Sequence, residues 1–452
     1  MAVALGADHG IVVGESGDVF TWGMNSRGQL GTGDKNSRAI PTRVVGLPAP
    51  VRQVAAGGEH TGIVTQTGEL FMCGDGRGGK VGTGELQDRT TPTLLARVLF
   101  EGEAVLMVAC GCDHTMVVTE GGKVFTFGSG SFGQLGHGDL NQQLTPKQVP
   151  VEAFNGEQIV MVAGGFVHSI ALSAAGNVFT WGHNATGQLG HNNLQSETVP
   201  RQVDTAWFDE KKVAYVAAGF QYSVAVTVEG QLYTWGMGSD GRLGHGDDND
   251  RLVPTLVRWP IDPAFGVSDS NTVVMATATS QDSHTLAMTR DGALWACGRG
   301  GAGQLGLNDR NSRRAFERIG GDMDDGTGVV AVATGWAHSA AVTEDGTLWT
   351  WGSNEKLGLG HGYGERRLLP TPVTMSPLRF MRVRRLLPLP PENALAFAMS
   401  QQKRVGATSA PRVLKTELLK MIVDAASLIC GLDRTRHQAV ITLLGGYRAL
   451  NT

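Results

Sequence analysis

A large or sulfur-bearing side chain followed by Gly recurs seven times along 452 residues: Trp22-Gly23, Cys73-Gly74, Phe127-Gly128, Trp181-Gly182, Trp235-Gly236, Cys297-Gly298 and Trp351-Gly352. The intervals are 51, 54, 54, 54, 62 and 54 residues. A period of that length marks a repeat architecture, in which no unit can bury its apolar faces without a neighbour. Thirteen residues before each pair stands His9, His60, His114, His168, Tyr222, His284 or His338. The offset never changes, so the segment it spans accepts no insertion. Eight residues after the aromatic position comes a Leu or Val in a Gly-rich turn, from Gln29-Leu30-Gly31 to Gln304-Leu305-Gly306. The seventh copy departs, reading Leu357-Gly358-Leu359-Gly360.

Each unit reads as four short strands. Ser169-Ile-Ala-Leu-Ser and Val178-Phe-Thr-Trp181 flank a turn at Gly176-Asn177, which is a hairpin signal. Ile159-Val-Met-Val-Ala163 supplies another strand before the His, and Pro-x-x-Val segments (Pro146 to Val149, Pro200 to Val203) supply the last. Pro suits a strand start or an edge. Four strands in about 50 residues, seven times over, make the composition of an all-β radial propeller. Gly agrees with this: 64 of 452 residues, about twice the usual share, with no G-X-Y period, means many tight turns.

No run approaches the ~18 apolar residues that cross a bilayer. The N-terminus lacks the basic start of a secretory signal, and the five Cys (Cys73, Cys110, Cys112, Cys297, Cys430) match no zinc spacing. Reduced thiols and a cytoplasmic or nuclear location are therefore expected, with no membrane partner. The formal charge of −4 divides unevenly: from Arg379 onward it is +8, and before that −12.

The stretch Gly165 to Gly190 shows Gly-x-x-His, then Gly-x-Val-Phe-Thr-Trp-Gly-x-Asn-x-x-Gly-Gln-Leu-Gly, almost unbroken. This resembles the repeat of the regulator-of-chromosome-condensation family over about residues 1–375. The resemblance implies a seven-bladed β-propeller whose blades are offset from the sequence repeats, so that both termini share one blade. On that reading the first copy lacks its Pro-x-x-Val strand, and Pro370-Thr-Pro-Val373 pairs beside Val3–Leu5 to close the ring. The expected organisation is a propeller over 1–378, a linker with a short apolar strand over 379–410, and an α-helical hairpin over 411–452.

The repeated residues read as scaffold. Seven His or Tyr positions spread round a ring cannot converge on one ion, so His9, His60, His114, His168, His284 and His338 are expected to bond turn backbone rather than a metal. Trp22, Trp181, Trp235 and Trp351 are expected to pack between blades. No nucleophile elbow, Walker loop or metalloprotease motif occurs, and Gly300-Gly-Ala-Gly303 falls in the repeat's turn register with no helix after it. No cofactor, metal or bond-making catalysis is expected.

Function is sought where the copies disagree. Directly before the His they read Asp8, Glu59, Asp113, Val167, Gln221, Ser283 and Ala337, and one residue earlier Ala7, Gly58, Cys112, Phe166, Phe220, Asp282 and Trp336. The first three blades thus present carboxylates, and blades 4, 5 and 7 aromatics suited to anchoring a partner. Phe265, in the one long insertion, is a further candidate. Family members that release nucleotide from the GTPase Ran use acidic loops of this face, which by position points to Glu59 and Asp113. Their longer wedge loop is absent here, since the third repeat keeps the plain 54-residue spacing. Members that sense UV-B carry Gly-Trp-Arg-His-Thr, and only Gly335-Trp-Ala-His-Ser339 comes near, without the Arg. The expectation is a scaffold or adaptor with a protein partner, the alternative a Ran-type exchange factor that also engages chromatin. In the basic tail, docking on the acidic propeller is preferred over binding nucleic acid.

Overall fold

The computed structural model describes residues 3–374 apart from Glu15, 260–271, 279–282, Asp322 and 324–327. The expected linker strand and helical hairpin, and Phe265, lie outside those residues. Seven four-stranded antiparallel sheets follow one another, each built from four consecutive strands hydrogen-bonded in chain order. Blade 1 consists of Val3–Leu5, His9–Val13, Val19–Gly23 and Arg38–Arg43. The other six span 51–95, 105–148, 159–202, 213–256, 273–318 and 329–372. First strands of neighbouring blades touch all the way round, including Val3–Leu5 against Val329–Thr334, so the first strand is innermost and the Pro-bearing fourth is outermost.

The register explains the unchanging offset. His9, His60, His114, His168, Tyr222, His284 and His338 each pair across the hairpin with the Gly that follows the aromatic position. One inserted residue would turn every buried side chain of that hairpin to the other face. The Gly is required: at Gly74 φ is +108°, and a Cβ would lie 2.4 Å from the Glu59 carbonyl oxygen.

One part of the expected architecture is corrected. The blades coincide with the sequence repeats, and no blade is shared between the ends. Pro41-Thr-Arg-Val44 is the outer segment the first copy was read as lacking, since Phe20 pairs with Arg43. Arg367–Pro372 pairs with its own blade's third strand instead of with Val3–Leu5. Closure is face against face: Val3, Leu5, Val12, Phe20 and Trp22 of blade 1 share one buried cluster with Val330, Ala331, Ala340, Val342 and Leu348 of blade 7. Pro41 follows Trp22 by 19 residues, the spacing at which Pro146 follows Phe127 and Pro200 follows Trp181, so the first copy carries the same outer segment as the others. Each of the other six joints has an apolar cluster of its own, again drawn from two adjacent blades.

Candidate protein-binding face

Strand direction sorts the loops onto two faces. The Gly-x-x-His loops and the Gly-rich loops between third and fourth strands emerge together; hairpin turns and interblade connectors emerge opposite. What holds the first set in place is a clasp repeated at joint after joint. His9 Nε2 lies 2.9 Å from Thr61 Oγ1 of the next blade, and that hydroxyl donates to the Gln29 carbonyl at 2.8 Å. The same triad runs through His60, Thr115 and the Lys80 carbonyl; His114, Ser169 and Gln134; His168, Ser223 and Gln188; and His284, Ser339 and Gln304. At blade 5 Thr285 Oγ1 donates to the Arg242 carbonyl at 2.7 Å and lies 3.0 Å from the Tyr222 hydroxyl, which donates to the His284 carbonyl at 2.7 Å. His9, His60, His114, His168 and His284 therefore reach the turn backbone through a neighbour's hydroxyl. Since each hydroxyl proton is committed to a carbonyl, the imidazole must donate from Nε2. Burial disfavours the charged form of four of them and pushes His9 and His114 down to about 4 and His60 and His168 to about 3.

Trp22, Trp181, Trp235 and Trp351 are fully buried. The Trp181 and Trp351 indoles donate to the Gln134 and Gln304 carbonyls, both at 2.9 Å. Where Cys replaces Trp, its thiol points at the equivalent carbonyl: Cys73 Sγ is 3.6 Å from Gln29 O, and Cys297 Sγ 3.5 Å from Arg242 O. A second set of histidines, His137, His191, His245 and His361, follows the Leu-Gly of the turn and meets Thr126, Thr180, Thr234 and Thr350 at 2.9–3.0 Å. Sequence reasoning passed over it, although Leu-Gly-His recurs in plain view.

Held this way, the described Gly-x-x-His loops of blades 7, 1, 2, 3, 4 and 5 form a chain around the propeller axis. Ala7 N–H donates to the Gly57 carbonyl, Gly58 to Cys112, Cys112 to Gly165, Phe166 to Gly219 and Trp336 to Ala7, at 3.2–3.3 Å. The residues in these loops are small in blades 1–3 (Ala7, Gly58, Cys112) and aromatic in blades 4, 5 and 7. Phe166 and Phe220 are half-buried and pack together, ring centroids 4.8 Å apart at 55°. Trp336 is 47% exposed. Phe132, on the neighbouring turn of blade 3, is 46% exposed and meets His183 edge-on, centroids 5.3 Å apart. Neither Phe132 nor His183 was singled out from the sequence, because they vary inside the turn rather than beside the His.

Behind the small-residue loops lies a charged network. Lys80 is buried and bridges Asp75 at 2.8 Å and Asp113 at 2.6 Å; Arg77 joins Asp75 and Glu59, both at 2.9 Å. Lys80 stands where blades 1, 3, 4 and 6 have Gln, whose side-chain oxygen caps a turn N–H. Here Asp75 accepts from Arg77 N–H instead, which leaves Lys80 to reach across to blade 3. Burial works to raise the Asp113 pKa, but the Lys80 charge and hydrogen bond prevail and hold it below the usual carboxylate value. Burial raises Asp8, with Glu59 adding to the shift and Lys356 opposing it. Of the two carboxylates matched to exchange activity, each is thus already engaged by a cation. Lys80 was visible in the sequence as one of three departures at the Gln position, with Arg242 and Gly358. Among the described residues no group of three His, Cys, Asp or Glu side chains is placed to hold a metal ion.

The RCC1-like domain model matches residues 1–281 and 145–387. The chain is 32% identical over 372 residues to the ultraviolet-B receptor UVR8 of Arabidopsis thaliana, covering 79% of this chain and 81% of that one. With the mouse secretion-regulating guanine nucleotide exchange factor it shares 30% over 382 residues, 79% of each chain. A match of 32% to the human E3 ubiquitin-protein ligase HERC2 covers 78% of this chain but only 7% of the ligase. The solved structure of Prp20p from Saccharomyces cerevisiae superimposes with a TM-score of 0.69 at 22% identity, covering 86% of this chain and 95% of that one. Seven in-phase blades, their clasps and these matches lead to one conclusion: the chain belongs to the RCC1-like domain family.

Proposed function

We propose that this protein is a non-catalytic adaptor that holds a protein partner on its loop face. The observation that carries this reading is the aromatic side of the loop face, where Phe166, Phe220 and Trp336 sit partly exposed around the propeller axis on rigid, hydrogen-bonded backbone. Preorganised aromatics at the centre of a surface are what binding hot spots are made of. The engaged state of Glu59 and Asp113 adds support, because carboxylates already neutralised by Arg77 and Lys80 are poorly placed to repel a bound nucleotide. The test is affinity capture from cell extract with the wild type and with a Phe166→Ala/Phe220→Ala/Trp336→Ala variant of unchanged thermal stability. The variant is expected to lose wild-type partners, and recovery of the same set would sink the reading.

A second reading, guanine-nucleotide exchange on a Ran-type small GTPase, draws on the position of Glu59 and Asp113 on the same face and on the similarity to a protein named as an exchange factor. Its measure is the release of fluorescent GDP from the GTPase. Stimulation that Asp113→Ala abolishes in a folded variant would establish it, and release no faster than in buffer would remove it.

A further inference from the structure

The turn Gly300-Gly301-Ala302-Gly303 joins the third and outer strands of blade 6 on the loop face. Two guanidinium groups from different blades converge on it. Arg310 Nε donates to the Gly301 carbonyl at 2.7 Å, and Arg366 Nη1 of blade 7 points at the same oxygen from 3.5 Å. Arg299 precedes the turn and is exposed. The space above Gly301 is open: a Cβ built there meets nothing within 4 Å, whereas one on Gly300 would lie 2.0 Å from Asn311 O.

A fourth arginine is left uncompensated by a change in the repeat. In blades 1, 2, 5 and 6 the arginine that starts the outer strand is held by an acid four residues earlier: Arg38 by Asp34 at 2.7 Å, Arg89 by Glu85, Arg251 by Asp247 at 2.8 Å and Arg313 by Asp309 at 2.6 Å. Blade 7 has Tyr363 in that place, 88% exposed. Among the described residues no carboxylate pairs with Arg299, Arg310 or Arg367. Arg366 has only a loose contact, 3.7 Å, with Glu355, itself 76% exposed, and Glu365 is its exposed neighbour in the chain. The Trp336 loop lies next to the turn, since Gly352 packs between Gln304 and Ala337.

We infer that Arg310 and Arg366, converging on Gly301, together with Arg299 before the turn and the exposed Arg367 that follows Arg366, form a docking site for a phosphorylated segment of a protein partner. This rests on the adaptor reading above and names the partner's chemistry. Planar guanidinium groups converging from several directions match a compact, multiply charged phosphate monoester. A nucleic acid strand is disfavoured, because it needs cations along many successive phosphates.

The full chain is passed over beads bearing a degenerate peptide library with a fixed central phosphoserine, and over the same library with unphosphorylated serine. Inorganic phosphate and a 20-nucleotide single-stranded oligonucleotide serve as competitors. Retention at least tenfold higher on the phosphorylated beads is expected, lost in Arg310→Ala/Arg366→Ala and equally in Gly301→Asp. The turn tolerates an acid there, as Glu355 occupies the same position in blade 7. Arg251→Ala, which alters the paired arginine of blade 5, is expected to bind as wild type. Equal retention on both beads, retention unchanged in the two site variants, or displacement by the oligonucleotide at lower concentration than by inorganic phosphate would each overturn the inference. If extract partners are lost in the aromatic variant but kept in Arg310→Ala/Arg366→Ala, the adaptor reading stands and this site falls. The bead assay judges phosphate recognition whether or not any extract partner is found.

Discussion

Six joints of the ring and the seventh are built differently. At each ordinary joint a Ser or Thr hydroxyl of one blade is gripped by the preceding blade, in five of them by an imidazole and in one by Tyr222. At the joint from blade 7 to blade 1 the hydroxyl position is Gly10, and a Cβ there would lie 2.3 Å from the Trp22 ring. The indole occupies the space, and its Nε1 donates to the Gly358 carbonyl at 2.7 Å. The turn on the other side has changed as well. Leu357 stands where the other copies have Gly and keeps the left-handed conformation, φ +63°. Six joints thus include a small polar group that must be paired, while the seventh has no such hydroxyl and keeps the indole bond, made also by Trp181 and Trp351, beside a backbone under strain.

Acid gives the largest expected separation between them. A base whose folded pKa lies below its unfolded value adds stability that is complete above the unfolded pKa, about 6.5 for His, and drains away as pH falls toward the folded one. For His9, His60, His114 and His168 that window runs from about 6.5 to between 4 and 3. With four such groups the free energy of unfolding is expected to fall by roughly 5 kcal/mol per pH unit near pH 5. Urea titrations at stepped pH measure the slope. A flat profile between pH 6.5 and 4.5 would mean that the clasps can be protonated without opening.

Next in size comes a matched pair of substitutions. Ser169→Ala removes the hydroxyl of one ordinary joint and leaves His114 Nε2 short of a partner, while the Gln134 carbonyl keeps only the Trp181 indole, a cost of about 1–3 kcal/mol. Gly10→Ser adds a hydroxyl where the closing joint has none, and its Cβ collides with Trp22, again costing about 1–3 kcal/mol. Denaturant midpoints distinguish the two designs. If Gly10→Ser is neutral, the indole can swing aside and the seventh joint is an ordinary one after all. The smallest effect is a gain: Leu357→Gly is expected to stabilise the fold by about 1 kcal/mol by relieving the left-handed conformation. A lower melting temperature for that variant would show that leucine's packing outweighs its strain.

The blade count, the strand order and the hairpin register could be read from the sequence because they depend on fixed spacing within one repeat. Closure could not. It depends on whether Arg38–Arg43 or Arg367–Pro372 completes blade 1, and both segments carry the same Pro-bearing pattern. The loop face was readable as a list of varying residues, since the position before a strand fixes which face it leaves from. Its partnerships were not. Lys80 with Asp113, Phe166 with Phe220 and Arg366 with Gly301 each join residues of different blades, and a period in the chain says nothing about which variable side chains reach one another across a joint.

The bond from Trp22 to Gly358 spans 336 residues. During synthesis the indole leaves the ribosome 336 residues ahead of its acceptor, a delay of roughly 20–70 s at ordinary elongation rates. Every other blade meets its successor within about one repeat. Blade 1 packs one flank on blade 2 as promptly, but its other flank, with Val3, Leu5, Val12 and Phe20, stays uncovered until the chain has gone all the way round. The nascent propeller therefore carries an apolar flank whose only native cover has not yet been made, and that flank is the place where a chaperone, or the wrong blade of a second copy, would first find a hold.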